Sequence, residues 1–385
     1  MKNRTWAEID IDNLLFNIKA LKAVLGRNVS ILAAVKANAY GLDSIEITRV
    51  MSKHVKMFGV ASMDEAVELR IHRIDNPILI LSPTIVEDIN RIIDYNLMPN
   101  VITLEYAKKL NDAAYRKKRI VNVHVEVDTG MNRTGIYFED AVEQIEKIYS
   151  MKNLYLEGVF SHFAEAEKKN RSFSIAQKKR YDIILNTLQK KGIKIIYRHI
   201  ANSSAIENLE SCQYNLVRPG IMLYGQYTDE RLKNTVLLKP VMRLKTRIGQ
   251  IKTLKKGDSI SYSRAFYAKK DMKIATCLIG YADGYLRSLS NIASMFVHGK
   301  RVKVIGNICM DLTMIDVSNV KSVKVGDEVE VFGENINLSE LSRISNTLIY
   351  EIMTGIGPRV PRVFIKHGRI YYSKNILATN GGTLV

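Results

Sequence analysis

Residues 31–41 read Ile-Leu-Ala-Ala-Val-Lys-Ala-Asn-Ala-Tyr-Gly, so a short apolar run delivers Lys36 to the point where small and turn-forming residues take over. A lysine held in apolar surroundings has its pKa lowered, and its neutral amine is then a nucleophile able to form a Schiff base. Taken alone, such a lysine more often snorkels to water. Asp128, His162, Asn202 and Arg218 stand in the same kind of setting, each where an apolar run gives way to polar residues. If these runs are neighbouring strands, five polar groups converge on one mouth.

The elements that must position them are eight apolar runs: Ile31–Val35, Met57–Ala61, Pro77–Leu81, Met98–Ile102, Val121–Val127, Leu156–Phe160, Ile195–Ala201 and Leu216–Tyr224. Amphipathic stretches with helical spacing separate most of them. Ser62 followed by Asp64 and Glu65 predicts a helix start, and Gln177–Lys190 predicts a long helix closed by lysines and Gly192. Eight strands alternating with helices predict a (β/α)8 barrel, whose chemistry sits at the carboxyl ends of its strands. We place this α/β barrel at residues 12–237. Beyond it, Lys255-Lys256-Gly257-Asp258, His298-Gly299-Lys300 and Val325-Gly326-Asp327 are turn signals between strands, and Asn337-Leu-Ser-Glu fits a helix start. A mostly β domain is expected over 238–385, joined by residues 1–11, where Arg4–Ile11 alternates like a strand.

Composition sets the class. Of 385 residues, 46% are hydrophobic and 25% charged, as in an ordinary globular protein. No stretch is apolar enough to span a bilayer and no secretion signal opens the chain, so the cytoplasm is expected and no membrane partner. Cys212, Cys277 and Cys309 fit neither a disulfide framework nor a metal site. Lys and Arg outnumber Asp and Glu by 57 to 39, a formal charge of +18, but the basic residues are dispersed and no nucleic-acid motif accompanies them. A solvated basic surface is the reading, with no nucleic-acid partner.

Val-Lys-Ala-Asn-Ala-Tyr-Gly closely resembles the pyridoxal-phosphate attachment segment of alanine racemases, departing at Leu42-Asp43 where relatives continue His-Gly. The resemblance runs from Trp6 to Phe364 through several separate motifs. It implies that Lys36 carries the cofactor covalently and that Tyr40, His162, Asn202, Ser203, Gly220 and Ile221 help to bind it, chiefly at the phosphate. Arg218, in Arg-Pro-Gly-Ile-Met-Leu-Tyr-Gly, would donate to the pyridine nitrogen and keep it unprotonated, favouring simple removal and return of a proton over transamination.

Racemisation needs two acid–base groups on opposite faces. The resemblance implies Lys36 for one and Tyr262, in Ile-Ser-Tyr-Ser-Arg-Ala-Phe, for the other, with Ser263 where glycine is common. A phenol ordinarily keeps its proton to about pH 10, so a tyrosine base needs help from neighbours; His162 bridging Tyr262 and Arg218 would supply it. In the family this tyrosine enters the other subunit's site, which implies a homodimer, and Tyr281, Met310 and Asp311 would arrive with it. Arg133 would orient the substrate carboxylate. Where many relatives carry a carbamylated lysine beside that arginine this chain has Glu126, and an Arg133–Glu126 ion pair is expected. Pro358 replaces a tyrosine that in relatives touches the phosphate and narrows the pocket, which leaves either a roomier pocket or compensation by Tyr40 or Tyr350.

The implied activity is interconversion of L- and D-alanine with pyridoxal 5'-phosphate, for peptidoglycan supply. A serine or broad-specificity racemase is the alternative within the family, supported by Pro358. A non-catalytic carrier of the cofactor would resemble only the barrel and lack the Tyr262 segment. A related decarboxylase would need a cysteine-centred segment that is not found.

Overall fold

Eight parallel strands follow one another in chain order as neighbours: Ser30–Ala34, Met57–Val60, Ile78–Pro83, Met98–Val101, Val121–Asp128, Leu154–Phe160, Tyr197–His199 and Leu216–Val217, the last pairing back onto the first. The computed structural model describes residues 3–228, 236–375 and 377; the far carboxyl end of the expected second domain lies outside them. A single bridge between Asn202 and Arg218 joins the final two strands and completes the ring. The fold is thus a (β/α)8 barrel followed by a mostly β region.

Each expected strand is present, with shifted ends. The run Leu216–Tyr224 yields only two strand residues because Pro219 lacks an N–H to continue the ladder, and Ile221–Tyr224 coil into buried turns instead. The long helix covers Ser172–Lys190, starting five residues ahead of the predicted Gln177. Ser62 caps Met63–Ile71 by accepting from the Glu65 N–H, as its position predicts. Asn337 does precede a helix, Leu338–Ser345, but its side chain makes no capping bond.

Thr5–Asp10 pairs antiparallel with Met242–Leu254 and parallel with Arg362–Lys366, inside a nine-stranded sheet. Met242–Leu254 alternates buried and half-exposed residues over its first half, the period of a one-sided strand. Strands Ser294–Val297 and Lys300–Lys303 join through His298-Gly299, both left-handed at φ +47° and +77°, a two-residue turn whose twist matches the hairpin. One continuous apolar core runs from the barrel into this sheet, from Phe58 and Val125 to Val329 and Phe364.

Arg362 ties the two parts together. Its buried guanidinium donates to the carbonyls of Gly41, Ile356, Gly357 and Val360 at 2.6–2.9 Å. Burial pushes its pKa down to about 10, so it stays charged at neutral pH. Replacing Arg362 with Met is expected to leave several of these carbonyls unpartnered and to destabilise the protein by on the order of 3–5 kcal/mol. Urea unfolding would show this as a lower midpoint at unchanged slope; an unshifted midpoint would refute it.

Candidate active site

Immediately after the first barrel strand the backbone turns left-handed. Ala37, Asn38 and Ala39 have φ/ψ near +52°/+50°, and Tyr40 has φ +57°. For residues with a Cβ this costs roughly 1–2 kcal/mol each, so surrounding contacts must enforce it. Glu65 does so at the start: one carboxylate oxygen accepts from the Ala37 N–H at 2.6 Å and the other from the Ala61 N–H at 2.7 Å. Asn38 Oδ1 accepts from Ser44 N–H at 2.7 Å, and the Gly41 N–H bonds back to the Ala37 carbonyl. At Gly41, φ +86°, an added Cβ would lie 2.3 Å from the Met353 carbonyl oxygen. The departure at Asp43 also has a use: its side chain caps Ser44–Met51 and pairs with Lys374 at 2.7 Å.

This turn throws Lys36 into a cavity of about 510 Å3 at the carboxyl ends of the strands, where Tyr40, Glu126, Arg133, His162, Asn202, Ser203, Arg218, Gly220 and Ile221 also stand. Burial lowers the Lys36 pKa; Arg133 and Arg218 push the same way and Glu65 opposes them. The amine is therefore more readily neutral than an ordinary lysine. Burial and the Arg218 charge hold His162 well below the usual histidine range, so it is neutral.

Arg218 is fixed from behind. Nη1 donates to His199 Nδ1 and to the His199 carbonyl, both at 2.9 Å; Nη2 donates to the Ser161 carbonyl at 2.7 Å and to His162 Nδ1 at 3.1 Å. Among the described residues the Nε–H finds no acceptor, and the side chain lines the cavity. A donor that cannot give up its proton is thus available to a ring nitrogen. Opposite it, the Gly220 N–H donates to Ser203 Oγ at 3.0 Å, and a Cβ at Gly220 would meet the Tyr40 hydroxyl at 2.3 Å. Backbone and hydroxyls there form a cradle suited to a phosphate. An amine, a fixed guanidinium and a phosphate cradle in one cavity fit pyridoxal phosphate.

Two expectations need correction. Glu126 makes no ion pair with Arg133; it is buried, accepts from Asn100 Nδ2 at 2.6 Å, and its charge bears on Arg218. The interior face of Val121–Asp128 directs it across the barrel, whereas Arg133 rides on the exposed loop that follows. Asp128 does not line the main cavity: it accepts from the Gly130 and Asn132 N–H groups and so shapes that loop. Pro358 does not line the cavity either, while Tyr350 does, its ring 5.9 Å from that of Tyr40. Ser82 and Pro83 are lining residues that sequence reasoning missed, although they end a strand as Lys36 does.

Tyr262, Tyr281, Met310 and Asp311 are not brought to the Lys36 cavity within one chain. Tyr262, 69% exposed, shares an outward hollow with Tyr281, Arg287 and Ile308. Ser263 next to it has φ +58°, the left-handed region that favours glycine. Asn307 Nδ2 donates to the Tyr262 carbonyl, which fixes the segment. Behind Tyr281, buried Asp283 pairs with Arg4 at 3.0 Å and Arg359 at 2.8 Å, and Arg359 also holds Asp311 at 2.7 Å. Met310 is exposed on the same side.

Residues 9–228 match the alanine racemase N-terminal domain and residues 241–364 the alanine racemase C-terminal domain. Alanine racemase 1 of Clostridium acetobutylicum is 40% identical over 377 residues, covering 96% of this chain and 97% of its own. The solved alanine racemase of Clostridium difficile 630 superposes with a TM-score of 0.95 at 35% identity, covering 98% of this chain and 100% of that one. That of Bartonella henselae, solved with covalently bound pyridoxal phosphate, superposes at 0.86 with 26% identity over 94% of this chain and all of its own. Matched in both halves and aligned end to end with such relatives, the chain belongs to the alanine racemase family and is a pyridoxal-phosphate-dependent amino-acid racemase.

Proposed function

We propose that the protein interconverts L- and D-alanine in the cytoplasm, for cell-wall precursor supply, as a head-to-tail homodimer whose two active sites are each shared between subunits. The observation that supports this best is the pair of half-sites: a cavity that holds Lys36 and Arg218, and an outward face of the other region that presents Tyr262, Tyr281 and Met310. The division of labour follows the chain, with residues 12–237 holding the cofactor and residues 1–11 plus 238–385 completing the partner's site.

Pyridoxal phosphate, when bound, supplies the carbonyl that holds the amino acid and the ring that draws electrons from its α-carbon. Lys36 would hold it covalently, Ser203, Gly220, Ile221 and Tyr40 its phosphate, and Arg218 Nε its ring nitrogen. The Lys36 amine, with its lowered pKa, takes or returns the α-proton on one face. The hydroxyl of Tyr262 of the partner subunit serves the other face, coupled through neutral His162 to Arg218. Arg133 offers its planar fork to the substrate carboxylate. The supporting role of Glu126 is to hold Asn100 and balance the Arg218 charge.

Tyr350 lines the cavity and Pro358 does not, which supports compensation over a roomier pocket, so we expect alanine to be preferred over serine by at least about tenfold in kcat/KM, within the range for one small substituent. Chiral chromatography after incubation with a panel of L-amino acids measures this. Equal conversion of serine and alanine would replace the alanine reading with a broad-specificity one.

A further inference from the structure

Behind Arg218 lies a line of buried groups that the chemistry above does not use. Arg218 Nη1 is 2.9 Å from His199 Nδ1, and His199 Nε2 is 2.8 Å from His124 Nδ1. His124 Nε2 faces Glu157 Oε2 at 3.7 Å. Both imidazoles are fully buried, and burial keeps both below the usual histidine range, hence neutral. A guanidinium only donates, so His199 Nδ1 accepts. The His199 proton is then on Nε2 and is given to His124 Nδ1, which leaves the His124 proton on Nε2, pointing at the carboxylate. All the donors run one way, from the guanidinium to an anion.

The backbone is built for this arrangement. Val123 pairs with Leu156 but His124 pairs with Gly158, so Glu157 is the extra residue of a β-bulge, a device that re-aims one side chain. A Cβ at Gly158 would lie 2.4 Å from His124 Nδ1, so the ring fits only beside glycine. Phe160 stacks on His199 at 4.9 Å and 12°. The two facing atoms, His124 Nε2 and Glu157 Oε2, are buried, and among the described residues neither has a hydrogen-bond partner, so each is left facing the other.

We propose that Glu157, acting through His124 and His199, is a positioning residue that keeps Arg218 turned towards the cavity and compensates its buried charge from a distance. Among the described residues Arg218 has no direct ion pair, and this line is a built route from it to an anion beyond the neighbouring Glu126. The proposal rests on the reading that Arg218 Nε serves the ring nitrogen. With that donor held, the nitrogen would take no proton; with it displaced, the bound cofactor would be able to keep alanine's amino group and accept its α-proton at carbon, water supplying the oxygen of the pyruvate that leaves.

The test compares Glu157→Leu, Glu157→Gln and Arg218→Lys holoenzymes for racemisation, for pyruvate formed per racemisation event, and for the visible absorbance of the bound cofactor. Glu157→Leu is expected to slow racemisation by roughly ten- to a hundredfold, the range for losing the partner behind a functional group. It should also raise the pyruvate ratio about tenfold and shift the absorbance. Glu157→Gln, which keeps an acceptor without the charge, should recover part of both. If Arg218→Lys leaves the pyruvate ratio unchanged, the reading of Arg218 itself fails; if it raises the ratio while folded Glu157→Leu does not, the relay alone is overturned. Histidine-15N spectra of the wild-type holoenzyme need no variant: Nε2–H tautomers at His124 and His199 are expected, and a proton on His124 Nδ1 overturns the proposal.

Discussion

Lys36→Ala is expected to lower racemisation by at least about 10^4-fold and to strip the protein of its visible cofactor absorbance, since one side chain is asked for both covalent attachment and proton transfer. Among the described residues no other lysine lines the cavity. The loss cannot be made good by Arg133 or Arg218, whose guanidinium groups do not deprotonate. Phosphate contacts through Ser203 and Gly220 remain, so the variant should still bind the cofactor weakly and reversibly. Stopped assays with polarimetry and a dialysis-resistant absorbance measurement check both parts. A colourless variant that still racemised at a hundredth of the wild-type rate would refute the assignment.

Tyr262→Phe is expected to cost about 10^2–10^4-fold in kcat, the usual reach of one acid–base group. The stronger test is complementation. In a homodimer of either variant, both shared sites carry the lesion. In a mixed dimer of Lys36→Ala and Tyr262→Phe subunits, one site carries both changes and the other carries neither. Random reassortment of equal amounts makes half the dimers mixed, so about a quarter of wild-type activity should return, a consequence of the isologous two-fold arrangement. If mixing after mild dissociation restores nothing, Tyr262 acts within its own chain or not at all.

Lys36, His162, Asn202 and Arg218 line one cavity, as the apolar runs suggest, because strand ends can be read from such runs and barrel geometry then forces strand ends together. It could not show the left-handed turn at Ala37–Tyr40. Alanine and tyrosine have no preference for that conformation, and Glu65, Arg362 and Met353 impose it from distant parts of the chain. The same limit explains the missing Arg133–Glu126 pair. Seven residues apart in sequence, one lies on a strand interior and the other on the loop beyond, and alternation alone does not say how far that loop swings. Glu157 was illegible for a further reason: a bulge breaks the period of two on which face assignment depends. Tyr350 was weighed only as a substitute for Pro358, since nothing local marks a residue near a helix start as part of a cavity wall.

The barrel closes at its thinnest point. Tyr197–His199 and Leu216–Val217 are three and two residues long, and one bridge, Asn202 to Arg218, spans them. The groups proposed to grip the cofactor, Ser203, Gly220 and Arg218, flank that same seam. A ligand held there rivets the ring shut, and whatever binds only the closed form shifts the folding equilibrium in its favour. Scarcity of the coenzyme would thus be felt first as faster proteolytic clearance of the polypeptide, with the vitamin acting as a chaperone for the scaffold that employs it.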